Sequence, residues 1–314
     1  MAVIEGVEAP PPKVDVRPRA ARRRERWLRR LPLLPALIYV VVVTQIPFVV
    51  TLWYSFQSYF WDIPGGAHFN GLRNYSAVFT DASFRGSLVR SVAMTAIAVI
   101  AAMILGVALA LLLDRKFLGR GIARTLIITP FLVMPAAAAL IWAYPMLDAS
   151  YGLLNYLLSP FGVNHVAWLS VHPLASVIVV MIWQWTPFMT LIVLAGLQSQ
   201  PPDTLEAAKV DGAGAFATFR ELTIPHLRPY IELGILLGSI YLVNVFDAVR
   251  LMTNGGPGTS TTNLPFFLYQ KVDYAYDIGG AAAAGVVTVV LTIIVATFAL
   301  RMFARVFRFE EAQG

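Results

Sequence analysis

Apolar residues run along this chain in long blocks. A helix needs about 20 mostly apolar residues to cross a bilayer, and six stretches have that length and character: 33–53, 89–113, 125–147, 174–197, 230–252 and 281–303. The two-residue alternation of a membrane barrel is missing from all six. Lipid offers no partner to a backbone N–H or C=O, so spans of this composition are predicted to be helices. Polar residues and prolines interrupt them unevenly. Arg90 stands near the start of the second stretch, and Pro130 and Pro135 lie inside the third. The fourth carries Trp183-Gln184-Trp185, and the fifth is broken by Glu232, Asn244, Asp247 and Arg250. The sixth has no charge before Arg301. Residues 151–158, YGLLNYLL, are apolar but too short to span, and predict an interfacial or re-entrant helix.

Composition agrees with the pattern. Of 314 residues 58% are hydrophobic and 13% charged, against roughly 25% charged in a soluble domain. There is no cysteine, which excludes a disulfide framework and Cys-based metal or thiolate chemistry. The formal charge of +6 is placed on one side. Nineteen of the 24 Lys and Arg fall before the first span, between the second and third, between the fourth and fifth, or at the end of the sixth. Cytoplasmic loops carry the excess of Lys and Arg, so both termini are predicted to be cytoplasmic. The Arg-rich segment 17–30 reads as the topology determinant, seated on anionic headgroups, and not as a nucleic-acid arm. The apolar run after it is longer than a secretory h-region and is expected to stay in the mature protein. The expected organisation is a disordered, basic cytoplasmic tail over 1–30, a six-span domain over 31–306 and a cytoplasmic tail over 307–314.

The loop 198–229 is longer than a connection requires. It reads QSQPPDTLEAAKVDGAGAFATFRELTIPHLRP. Asp203 or Thr204 can cap a helix, and Glu206 lies in its first turn, where the dipole favours an acid. Residues 204–210 favour helix by propensity, and Gly212 and Gly214 end it. A second short helix is predicted over 215–222, stopped by Pro225. Two readings fit these residues equally: a hairpin resting on the bilayer, or a docking element for a partner protein.

Glu206-Ala207-Ala208-x-x-Asp211-Gly212-Ala213, followed by Leu222-Thr223-Ile224-Pro225 and Pro229, resembles the EAA loop of ABC importer permeases. Leu222 and Ile224 stand where that family more often has Ile and then Leu. Gly71-Leu72-x-Asn74-Tyr75, Thr253-Asn254-Gly255-Gly256-Pro257 and Thr262-Asn263-Leu264 are similar to the maltose-type carbohydrate permeases. Phe131-Leu132-Val133-Met134-Pro135, Trp183-Gln184-Trp185-x-Pro187-Phe188 and Ile224-Pro225-His226-Leu227 resemble the polyol (mannitol/sorbitol) permeases within that group. The resemblance covers nearly the whole chain and implies an all-α type I ABC importer permease fold. It also implies that the loop helix bearing Glu206, Ala207 and Ala208, with Asp211 and Gly212 at its end, docks in a cleft of an ATPase subunit. The implied partners are a second homologous permease, two ATPases carrying ATP and Mg, and an external binding protein that delivers a sugar or sugar alcohol.

Residue chemistry marks a candidate path. Trp183, Trp185 and Phe188 offer ring faces for sugar C–H surfaces, and Gln184 offers an amide for hydroxyls. Asp247 and Asn244 lie within the fifth span, and an acid there marks a cavity or a partner; a structural bridge to Arg250 or to a neighbouring span is the competing reading. Tyr241 shares roughly the face of Asn244, and by the resemblance the sugar-lining stretch falls near 238–245. The four histidines read as solvated loop residues. There is no G-x-x-x-x-G-K-[ST] run and no H-E-x-x-H, so the chain is expected to hydrolyse no ATP, to hold no metal and to catalyse nothing covalent. The rival class is an ion-coupled secondary transporter using Asp247.

Overall fold

The computed structural model describes residues 33–163 and 165–311. The tail expected over 1–30 lies outside the described residues. The chain divides into two units at Thr51/Leu52, a boundary inside the first helix, α1 (Leu34–Ser55). In the first unit Pro47 leaves a gap in the helical ladder, and Thr44 and Thr51 turn their hydroxyls back onto the carbonyls of Val40 and Pro47.

The second unit carries a ribbon of two two-residue strands, β1 (Gln57–Ser58) and β2 (His68–Phe69), the only sheet among the described residues, which are otherwise mainly helical. α2 (Arg73–Thr80) follows. The motif at 71–75 is a staple here. Asn74 donates to the carbonyls of Ser55 and Gln57 at 3.0 and 2.7 Å, and the Tyr75 hydroxyl lies 2.6 Å from that of Ser55.

α3 (Ala82–Asp114), α8 (Pro173–Gln198) and α11 (Ile224–Leu242) form the core. α3 presents Ala98, Ala102, Gly106 and Ala110, all buried, at a strict four-residue spacing. Small residues at that spacing let helix backbones approach closely in lipid, where van der Waals packing drives association. Met189 of α8, wholly buried, fills the junction. A Cβ on Gly106 would stand 2.7 Å from Met189 Cβ and 3.0 Å from its carbonyl carbon, while Gly238 leaves room for Met189 Cε. Backbone cannot yield as a side-chain tip can. Gly106→Ala is therefore expected to destabilise the protein by about 1–3 kcal/mol, the usual cost of overpacking. Gly285→Ala, which meets nothing within 4 Å, should be neutral, and melting curves of the two detergent-solubilised variants check the pair.

Against the six spans expected, the described residues offer four or five candidates. Four described helices are long and apolar enough to cross a membrane: Leu34–Ser55, Ala82–Asp114, Pro173–Gln198 and Ile278–Phe298, the last lying within α13 (Ile278–Glu311). The expected third span is a bent pair, α4 (Arg120–Leu132) and α5 (Pro135–Ile141, continued by a π-turn over Trp142–Met146), with 98° between its arms. Pro135 disfavours helical backbone at Met134, which is extended with ψ 133. The expected fifth span is α11 followed by non-helical backbone at 243–246 and a π-turn, Val249–Thr253. With its arms counted as one span, the bent pair makes five. α13 carries the sixth stretch and continues through the tail expected from 307 as far as Glu311.

The stretch 151–158 forms α6 (Leu153–Leu158). Its Asn155 is a hub, donating to the carbonyls of Asp148 and Val166 and accepting from the Val166 amide and Trp168 Nε1. α7 (Trp168–Val171) leads from it into α8.

Candidate functional site

The polar cavity lies where the fifth stretch unwinds. It has a volume of about 220 Å³ and is walled by α8 through Gln184 and Trp185, and by 241–248 through Tyr241, Asn244 and Asp247. Five of the seven expected path residues thus meet in one place. The Trp185 ring lies 5.4 Å from that of Tyr241. Asn244 and Tyr241 are exposed, and Asn244 donates only to the Ile240 carbonyl at 2.8 Å. The bridge considered between Asp247 and Arg250 is not formed: Arg250 donates to Asn254 Oδ1 at 2.8 Å and lies 3.4 Å from the Tyr269 hydroxyl. Among the described residues Asp247 has no ion pair and no side-chain hydrogen bond.

Trp183 and Phe188 do not reach this cavity. Successive helical positions point about 100° apart, so Trp183 faces the other side of α8, 5.6 Å edge-on to Trp142. It helps wall an apolar cleft of about 510 Å³. Phe188 lies one turn below Gln184, stacked on Phe131 at 5.3 Å and edge-on to Trp185 at 5.4 Å. Phe131 completes this aromatic wall, and Pro135, Met181 and Phe246 line the cavity beside it. Met181 and Phe246 were not among the expected path residues, and Phe131 and Pro135 entered only as a motif and a kink. The signal for Phe131 was its place on the last turn before the proline-induced bend.

Two local devices hold the cavity open. Gln184 Nε2 donates at 3.0 Å to the Val133 carbonyl, which the bend at Pro135 turns away from its helical partner. Gln184 is thus a brace for the bend as well as a cavity wall. On the other side, Asn263 caps α12 (Leu264–Asp273) through Phe266 N at 3.1 Å and donates to the Val245 carbonyl inside the unwound segment. The glycine turn 254–258 packs under it: Asn254 and Gly255 have φ of 48 and 80, and a Cβ on Gly255 would strike the Phe266 ring. The motifs at 253–257 and 262–264 therefore support the break.

The loop 198–229 contains α9 (Pro202–Val210), with Pro201 at its N-cap position in place of the expected Asp203 or Thr204. Gly212 closes it with φ 79. Ala208 is buried, while Glu206, Ala207, Asp211 and Gly212 are exposed. Val210 and Phe216 are 87% and 76% exposed beside them, an apolar surface next to an acid. Pro225 does not end the second helix, contrary to expectation. α10 (Ala215–Thr218) passes through a π-turn, Phe219–Thr223, directly into α11. The five-residue reach of that turn, with Ile224 N–H on the Phe219 carbonyl, accommodates the proline that has no N–H to give. The ends of the loop are clipped together. Ser199 Oγ lies 3.0 Å from His226 Nε2 and 2.8 Å from the Tyr230 hydroxyl, and His226 Nε2 is 3.1 Å from the Gly196 carbonyl. His226 is thus a part-buried fastener and not a solvated loop histidine. Among the described residues no group of three or more His, Asp and Glu is placed to hold a metal.

Comparison with known proteins places this geometry. The family model described as binding-protein-dependent transport system inner membrane component matches residues 98–308. The probable ABC transporter permease protein y4oQ of Sinorhizobium fredii is 38% identical over 87% of this chain and 90% of its own length. The trehalose/maltose transport system permease protein MalF of Thermococcus litoralis is 34% identical over 92% and 96%. A bacterial alginate ABC transporter, solved in complex with an alginate pentasaccharide-bound periplasmic protein, superposes with a TM-score of 0.76 at 21% identity, over 91% of this chain and 97% of its own. The matched segment spans more than half of the chain and the relatives align over nearly all of it: the chain belongs to the family of inner-membrane permease components of binding-protein-dependent transport systems.

Proposed function

We propose that this chain is one of two homologous permeases in an ATP-driven importer of a sugar or sugar alcohol, with its solute path beside Trp185, Tyr241, Asn244 and Asp247. The observation that carries the reading is the cavity. A ring face, a hydroxyl, two amides and a carboxylate converge where backbone is unwound, and irregular backbone at membrane depth is tolerated where it lines a wet cavity. The flanking helices α8 and α11 are the two that the loop 198–229 joins, so movement of that loop reshapes the cavity. The name of the Thermococcus relative and the saccharide in the alginate transporter support the solute class. The likeness at 131–135, 183–188 and 224–227 extends that class to polyols. In this reading α9 docks on one of two ATPases that hold ATP and Mg, and an external binding protein loads the cavity. The relatives and solved neighbours named as ABC transporters favour ATP over an ion gradient as the drive.

The test is uptake of labelled trehalose, maltose, mannitol and sorbitol by cells lacking the chain and by cells with it restored. At least one solute should require the chain, survive a protonophore while ATP is kept up, and stop when ATP is depleted. Uptake that collapses with the ion gradient alone would return Asp247 to the centre of the mechanism. The same reading puts both termini in the cytoplasm. Phosphatase fusions at residues 1 and 314 should therefore be inactive, and an active fusion at either end would require a different topology.

A further inference from the structure

We propose that the cleft between α4 and α8 holds one acyl chain of an anionic phospholipid, with the lipid phosphate on Arg124. The cleft has a volume of about 260 Å³ and is walled by Ile127, Ile128, Leu191, Leu194 and Ala195, with Arg124 and Gln198 at one end. It lies further along α8, toward Gln198, than the polar cavity and shares no residue with it. The hydroxyl of Thr190, which also lines the cleft, is spent on the Thr186 carbonyl at 2.8 Å. The walls are therefore apolar and the polarity gathers at the mouth. Along α8 the cleft runs from Pro187 to Gln198, roughly 16 Å at 1.5 Å per residue. That is about half of a 30 Å hydrocarbon core, the depth of one leaflet.

The mouth is cationic and short of acceptors. Arg124 lines the cleft, Arg120 stands beside Leu113, another of its walls, and the short connection 114–120 carries Arg115 and Lys116 with one acid, Asp114. Asp114 is engaged by Arg120 at 3.7 Å, and Arg120 Nε also takes the Leu113 carbonyl at 2.7 Å. Among the described residues Arg124 reaches that carbonyl only through Nη2 at 3.5 Å, and its Nε is buried with no hydrogen-bond partner. A buried charged donor left unmatched is costly. A phosphate supplies the missing acceptor in the paired geometry that a guanidinium favours, and basic pockets between membrane helices are suited to anionic headgroups. The wider apolar cleft shares Ile127 and Pro187 as walls, so the acyl chain has apolar surface as it nears the bilayer midplane. A neutral zwitterionic lipid fills the slot but brings its own cation to an already cationic mouth, so the charge favours phosphatidylglycerol.

The assembled transporter in nanodiscs of mixed phosphatidylglycerol and phosphatidylcholine tests this, with retained lipid counted by native mass spectrometry after delipidation. The wild type should keep phosphatidylglycerol in preference. Arg124→Gln should lower its retention by about tenfold or more, as loss of a charge-assisted pair implies, and Arg124→Lys should lower it less. Ala195→Phe, at an exposed position that lines the slot, should expel the lipid with the headgroup site intact. Equal retention of the two lipids, or an unaltered Arg124→Gln variant, would overturn the proposal. Benzoylphenylalanine in place of Ala195 should crosslink to phospholipid in the assembled complex. A crosslink to the second permease would show that protein covers the cleft, and would also overturn it.

Discussion

Replacing Glu206 with lysine is expected to abolish solute uptake while leaving the chain inserted and folded. Glu206 is exposed on α9, with Val210 and Phe216 exposed beside it, so nothing inside the chain depends on its charge. An exposed acid beside two large apolar side chains is an ordinary composition for an interface and an uncomfortable one for a free surface. Reversing a charge at a docked interface costs several kcal/mol, and each 1.4 kcal/mol is a factor of about ten. ATPase co-purification and binding-protein-stimulated hydrolysis should therefore both fall by at least about tenfold. The competing reading of this segment, a hairpin resting on the bilayer, makes the opposite forecast. A lysine would then improve contact with anionic headgroups, and uptake would persist. Measuring stimulated hydrolysis of Glu206→Lys and of the charge-neutral Glu206→Gln on equal amounts of membrane-inserted protein decides between them. Unchanged complex yield and stimulation in the lysine variant would remove α9 from the coupling path.

What the sequence disclosed follows from the range of the forces involved. Long apolar blocks and the placement of Lys and Arg respond to the bilayer, which acts on every residue alike, so the helical class was legible without a structure. The turn at Gly212 was legible because a left-handed backbone position selects glycine locally. The breaks were not. Pro135 was visible inside its span, but the 98° bend depends on the Val133 carbonyl finding Gln184, 51 residues away. Pro225 was read as a stop because its missing N–H is a local fact. The π-turn that accommodates it is sustained by packing of Leu227 and Ile231 in the core. The unwound segment at 243–246 is likewise held from outside, by Asn263. Trp183 and Trp185 show the limit of composition. The two residues are chemically equal and two positions apart, and only helical phase sends one to the polar cavity and the other to the apolar cleft.

That geometry sets how the cavity residues should respond to mutation. Trp185 touches Phe131, Phe188 and Tyr241, so Trp185→Ala removes a wall of the cavity and part of an aromatic cluster together. It should give the largest loss of uptake in the set and also lower the melting temperature. Gln184→Ala orphans the Val133 carbonyl and should cost about 1–3 kcal/mol of stability, the usual penalty for an unsatisfied buried polar group. Uptake in that variant then fails through the bend. Asn244 and Asp247 are the clean probes. Asn244 bonds only to its own helix, and Asp247 has no ion pair among the described residues. Asn244→Ala and Asp247→Asn should therefore leave stability within about 0.5 kcal/mol, as surface changes do. Asn244→Ala deletes a hydrogen-bonding group that a hydroxylated solute would use, at about 0.5–1.5 kcal/mol, and Asp247→Asn exchanges a charged acceptor for a neutral amide, which weakens the bond offered to a hydroxyl by a similar amount. That predicts a roughly two- to tenfold fall in uptake from each, with ATPase assembly intact. The measurements are uptake, complex yield and melting temperature on the same preparations. If Asn244→Ala and Asp247→Asn both transport normally, the solute does not pass this cavity. If both lose stability before uptake, the carboxylate and the amide serve a contact with the second permease instead.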